Sequence, residues 1–300
     1  MDAPVHNAPP AEGLHVPDHI AKDEDIAAAL LRLAGDDLAA ARRELAGGGP
    51  HEERVHGVRQ HLKRARTVLR LLEAAPSERA RAVRRSLTAV ARMLAGARDA
   101  DVVAASAREL ATATPRAAEL GFERIAAALE QEAIRAHQEK IPLAEVDRRL
   151  AALADAVAEL AGDPFDGASL LDKGLERTYR RGRRWMGRAR TSLATPELHN
   201  WRKHVKDLWH LVWMARKRVG RKGQKLEPVL ERLASLLGLD HDHAVLAEKL
   251  ALSPTGDLSL MAQLALIADR RRELEAEAFE LGDAVYGETP KAFVRSLTLR

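Results

Sequence analysis

Five residues with cationic or hydrogen-bonding side chains stand at helical spacing in 55–70, VHGVRQHLKRARTVLR. His56, Arg59, Lys63, Arg66 and Arg70 follow one another at steps of 3, 4, 3 and 4. At about 100° per residue they share an arc of about 80° on an α-helix. Val58, Leu62, Ala65, Leu69 and Leu72 fall on a second arc about 120° away. No Asp or Glu occurs between Val55 and Leu72. Like charges at i,i+4 repel by a few tenths of a kcal/mol per pair. A helix that accepts this repulsion calls for an outside counter-charge, and an extended polyanion supplies one. The bland alternative is a solvated basic face.

The helix has a second copy. Residues 198–213, LHNWRKHVKDLWHLVW, match it at an offset of 143, which carries His56 onto His199, Arg59 onto Arg202, His61 onto His204 and Lys63 onto Lys206. The same offset carries LAGARDADVV (94–103) onto LGLDHDHAVL (237–246). Two segments that agree on one offset indicate an internal duplication.

The elements that must position these residues are helices. The composition is rich in Ala, Leu, Arg and Glu, with 3% aromatic residues, which favours helix. The three glycines 47–49 and Pro50 end a helix over 18–46, which Gly35-Asp36 could interrupt. The cationic helix follows over 51–75, and Ser77 is placed to cap 78–95. Asp99 or Asp101 is expected to cap 100–113. Thr114-Pro115 opens a helix to about 139, and 143–161 follows Pro142. A linker over 162–167 separates the halves, 18–161 and 168–300. The second half reads as helices over 168–191, 196–219, 226–237, 242–251 and 257–281. A turn is expected at 220–223, a stop near Gly238, and a cap from Asp240 or Asp242. Residues 1–17 read as a disordered tail.

Net charge is +4, but residues 177–225 carry sixteen Lys and Arg against Glu197 and Asp207, which leaves the remainder of the chain net −10. Such polarity implies an anionic partner. In 177–190, RTYRRGRRWMGRAR, Arg177, Arg180, Arg181, Arg184 and Arg188 share an arc of about 100°. They are expected either to join the cationic surface of the two repeated helices or to form a solvated face. The four tryptophans lie between Trp185 and Trp213 and are read as core rather than as base-stacking platforms. There is no cysteine, so Cys-ligated metals and disulfides are excluded. Neither a secretory leader nor an apolar run long enough to span a membrane is read, so a cytoplasmic protein is expected. No P-loop, H-E-x-x-H or G-x-S-x-G pattern is present. Asp240-His241-Asp242-His243 could hold a metal in a loop, but capping is preferred, because residues two apart do not share a helix face.

The pattern H-x2-R-x3-K-R-x-R-x3-R at 56–70, its partner H-x2-R-K-x2-K-D-L-W at 199–209, and the RDADV (98–102) and HDHAV (241–245) segments resemble the CHAD family, the conserved histidine α-helical domain. The resemblance covers about 20–285. It implies an all-α fold of two four-helix bundles related by a pseudo-two-fold axis, with long helices around a central basic groove. It implies binding of inorganic polyphosphate and, in some members, association with polyphosphate granules. By position, it puts binding on His56, Arg59, Lys63, Arg66, Arg70, His199, Arg202, Lys203 and Lys206. Arg180 and Arg184 are added from the Arg-rich segment. Arg64 matches the pattern but lies off the arc, where an ion-pair role is equally open. Asp207, Trp209 and Trp213 stand where the first copy has Arg64, Arg66 and Arg70, so the halves should bind unequally. Some relatives carry a fused triphosphate-cleaving domain with an E-x-E-x-K signature. Glu273, Glu275 and Glu277 come nearest to it here, with Phe279 in the place of the Lys. The expectation is a non-enzymatic, cofactor-free module that binds polyphosphate. The runner-up is a metal-dependent phosphohydrolase acting on polyphosphate or nucleotides through His241, Asp242 and His243, and a nucleic-acid binder is the third reading.

Overall fold

The computed structural model describes residues 19–72, 77–94, 96–136, 142–252 and 258–297. The expected tail over 1–17 lies outside them, and of residues 52 and 96–99 only the backbone is described.

The chain is all-α, with no strand among the described residues. Its helices are α1 (Ile26–Ala46), α2 (His51–Leu72), α3 (Glu78–Met93), α4 (Gly96–Ala113), α5 (Pro115–Glu119), α6 (Phe122–Ala136), α7 (Leu143–Glu159), α8 (Gly167–Ser192), α9 (Thr195–Met214), α10 (Arg221–Ala251), α11 (Leu258–Tyr286) and α12 (Pro290–Leu297). Ser77 caps α3 by accepting from the Ala80 N–H at 3.1 Å, as its place ahead of 78–95 suggests.

Several expected boundaries move. Residue 18 lies outside the described residues, and no helix begins among 19–25. α1 starts at Ile26 behind an Asp25 cap and runs straight through Gly35-Asp36, because buried Leu30, Leu33, Ala34 and Leu38 anchor both sides of that glycine. Gly121 at φ +76° splits the helix expected from 115 into α5 and α6. α4 begins at Gly96, ahead of Asp99 and Asp101. The turn expected at 220–223 is already the first turn of α10, and α10 continues through both Pro228 and Gly238. Buried Leu236, Leu237, Ala244 and Leu246 hold α10 on both sides of Gly238, which lies against the Arg202 guanidinium. Asp240 and Asp242 are therefore interior helix residues rather than caps. Asp240 instead accepts from Arg271 Nε at 2.7 Å, which ties α10 to α11.

In the first half, α1 packs on α2 and α7, and α3 also packs on α2 and α7. In the second, α8 packs on α9, α9 on α10, and α10 on α11, with α12 against α8. The buried side chains of both groups join in one cluster. A second, smaller cluster lies between α4, α5, α6, the end of α10 and the start of α11. Close contacts fix the second group. A Cβ at Gly182 of α8 would sit 2.2 Å from the Tyr286 hydroxyl of α11. Trp201 is fully buried, whereas Trp185, Trp209 and Trp213 only lean on the core.

Candidate anion-binding site

α2 presents its apolar arc inward, with Val58, Ala65 and Leu69 fully buried. That seating turns the cationic arc toward α3 on one flank and α9 on the other. On the α3 flank, Arg59, Lys63 and Arg66 meet Thr88 and Arg92 across an open pocket of about 230 Å³ floored by Leu62 and Ala91. Arg59 donates through Nη1 to the Leu94 carbonyl at the end of α3. Burial, with Arg70 and Arg84 nearby, pulls Arg66 below the ordinary guanidinium value. A cation held at that cost gains more than usual from a bound anion.

On the α9 flank the two copies meet. Arg70 of α2 forms an ion pair with Asp207 of α9. Burial pushes the Asp207 carboxyl up, against the pull of Arg70, Arg66, Arg181 and Lys203. His204 Nδ1 lies 3.7 Å from the same carboxylate. Its pKa is nonetheless depressed to about 4, by burial and then by Arg70, Arg181, Arg184 and Lys203. One turn and a half further on, His210 is depressed to about 3, by burial and then by Lys206, Arg64, Lys63 and Arg66. The α8 stripe adjoins this seam. Arg177 donates to the Arg70 carbonyl at 3.2 Å, and Arg181 and Arg184 act on His204. The guanidiniums of Arg184 and Arg188 lie 5.9 and 4.9 Å from the centre of the Trp185 ring, a cation–π arrangement that covers the indole.

The expected residues do not all share this surface. Lys63, Arg66, Arg70, Lys203, Lys206 and Arg184 converge there. His56 is exposed near the start of α2, 2.6 Å from Gln60 Nε2. Arg180 is exposed and pairs with Glu176 on its own helix. Arg64 is held by Asp37 of α1 at 2.8 Å and lies beside His61, which settles it as an ion-pair residue. His199 and Arg202 turn toward α10. The His199 ring sits 4.5 Å from that of His241, and its pKa falls to about 4 through burial, Lys203, His241 and Arg202.

Two features escaped the sequence reading. One is His210, whose importance comes from α2 cations that are remote in sequence. The other is the α3 wall, for which the spacing of Arg84, Thr88 and Arg92 at i, i+4, i+8 was an available signal.

The metal-like run divides among different partners. His241 lies against His199 and Asp242. His243 is fully buried and bonds Glu109 through Nε2 at 2.9 Å, and Glu109 is also held by Arg270. Among the described residues no three His, Asp or Glu side chains gather as a metal-ligand set. Nor is any described helix long and apolar enough to cross a membrane.

A search of curated proteins finds no match. Among solved structures, the chain is similar to the CHAD domain from the plant Ricinus communis, at 20% identity and a TM-score of 0.58 over 94% of this chain and 95% of that one. It is similar to PptA from Streptomyces chartreusis at 18% identity and a TM-score of 0.58, over 88% of this chain and 100% of that one. The family model for the CHAD domain matches residues 29–251. With that match spanning most of its length, the chain belongs to the CHAD domain family.

Proposed function

We propose that this protein is a non-enzymatic module that binds inorganic polyphosphate along the cationic surface formed by α3, α2, α9 and α8. The observation that carries the reading is the seam itself. Lys63, Arg66, Lys203, Lys206, Arg181 and Arg184 gather around His204, His210 and a single buried acid, Asp207. Such a concentration of like charge attracts an anionic ligand. A polyphosphate chain relieves it with closely spaced charges, and Arg forks and Lys ammoniums match its oxygens. Neither a base pocket nor a metal-ligand set is needed. Association with polyphosphate granules belongs to the same reading.

The reading also takes α8–α10 as a duplicate of α1–α3. In its support, the offset of 143 carries Glu78, the first residue of α3, onto Arg221, the first of α10. It carries Ala95, between α3 and α4, onto Gly238, where α10 runs on unbroken. In this view, α10 combines the counterparts of α3 and the start of α4.

The test is a competition titration. Labelled long-chain polyphosphate is challenged with DNA and RNA at several salt concentrations, on wild type and on the Lys63→Ala/Lys206→Ala double variant. Polyphosphate should outcompete both nucleic acids, weaken steeply with salt, and lose most of its affinity in the double variant. Equal competition by nucleic acid, or unchanged binding by the variant, refutes the assignment.

A further inference from the structure

We propose that the first three turns of α11 are a self-association surface, on which a second copy of this chain docks with its own α11 antiparallel to the first. The inference is independent of the anion-binding reading.

Residues 258–268, LSLMAQLALIA, include no charged side chain. One face of this stretch is used within the fold. Ile267 is buried, and Leu260, Leu264 and Leu266 pack on the smaller core cluster. Gln263 fixes the same face by donating to the Leu120 carbonyl at the end of α5, at 2.8 Å. Leu258, Met261, Ala265 and Ala268 follow at steps of 3, 4 and 3 and share an arc of about 80° on the opposite side. All four are exposed, Leu258 at 90% and Met261 at 67%. A helix that lays one face on a core ordinarily turns polar residues outward. α11 does so from Asp269 onward, and exposed Arg272 then occupies the same arc. Leu252, which closes α10 shortly before α11 begins, is 84% exposed as well.

The order of side chains along the stripe selects the occupant. The two large ones come first and the two small ones last. A parallel copy would set large against large at one end and small against small at the other, and would bring the two Arg272 guanidiniums together. An antiparallel copy sets Met261 opposite Ala265 and Leu258 opposite Ala268, so each large side chain enters the space over a small one. It also holds the two Arg272 positions about 27 Å apart along the axis, well beyond the screening length of about 8 Å. The pairing is isologous, so every contact occurs twice. Each exposed Leu or Met offers about 60–120 Å² of apolar surface. Leu252, Leu258 and Met261 of two copies together offer about 500 Å². With apolar atoms making up rather more than half of an interface, the total is about 900 Å². That lies below the range of about 1,200–2,000 Å² for stable complexes and fits a reversible dimer.

Sedimentation of the full chain over a wide range of concentration tests the surface, on wild type, Met261→Lys and Leu193→Lys. Leu193, 53% exposed at the end of α8, makes the same apolar-to-cationic change elsewhere. Met261 is exposed, so the thermal melt of a dilute sample should be unchanged by its replacement. The mass of wild type and of Leu193→Lys should rise toward twice that of the monomer, and Met261→Lys should associate about tenfold or more weakly. A wild type that stays monomeric, or a Met261→Lys variant that associates as well as wild type, overturns the proposal. Because the chain has no cysteine, oxidising a mixture of Met261→Cys and Ala265→Cys chains reads the orientation. The antiparallel pair should yield chiefly the mixed disulfide, since only those two positions come within bridging reach. Met261→Cys linking more readily to itself overturns the antiparallel docking.

Discussion

Polyphosphate binding should draw protons onto the seam histidines. His204 is held at about 4 and His210 at about 3, against an ordinary value of 6.5. In the free fold both are neutral at pH 7. Burial is the larger cause of these depressions; a polyanion laid across Lys63, Arg66, Lys203 and Lys206 cancels the cationic part and raises both pKa values. Full return of one ring from about 4 to its ordinary value sets the upper limit, at which linkage tightens binding about 4-fold at pH 6 and about 30-fold at pH 5. Without ligand the same shift acts on stability in the opposite sense. In the window from about 6.5 down to about 4, the unfolded chain binds more protons than the fold, so stability is full above the window and falls with pH through it. For a ring such as His204 the loss between pH 7 and pH 5 is about 2 kcal/mol, and less for the more exposed His199 after solvent screening. Calorimetry at pH 6 in two buffers of different ionisation enthalpy counts the protons taken up, and histidine ring resonances report which rings gain them. Zero uptake, with affinity flat between pH 7.5 and pH 5.5, would refute the argument that these rings lie under the ligand.

Three further outcomes are expected. Asp207→Asn should lower urea stability by about 3 kcal/mol or more, because Arg70 loses its buried counter-charge, and should tighten polyphosphate at low salt; an Arg70→Met/Asp207→Asn double variant should recover part of the stability. Gly182→Ala should cost about 1–3 kcal/mol by thermal melting, since its methyl would meet the Tyr286 hydroxyl between α8 and α11. Glu275, held beside Asp240 in the interior, has its pKa raised to about 7 by burial and that neighbour. Its ionisation therefore costs stability at alkaline pH, and Glu275→Gln should raise the melting temperature at pH 8 while changing it little at pH 5.

Much of this protein was legible in the order of its residues, because the relevant signals are local. The 3.6-residue period displays the α2 stripe without any knowledge of neighbours. Gly47 to Pro50 ends one helix and Ser77 opens another through backbone rules that operate within a turn. The repeated stripe at 199–206 and the all-helical class follow in the same way. Where a helix continues, and what it faces, depend on contacts made across the fold. Gly238 should stop a helix by propensity, yet α10 passes through it because buried Leu236, Leu237, Ala244 and Leu246 anchor the helix on both sides. Arg64 and Arg66 sit two residues apart on one helix, and only packing decides that the first is paired with Asp37 while the second lines an open pocket. His210 carries no local mark, since its depressed pKa comes from burial and from cations on α2. Helix spacing is a property of neighbours in sequence, whereas electrostatic environment sums over neighbours in space. Residues 55–70 could therefore announce a cationic helix, but only the assembled fold could supply its second wall.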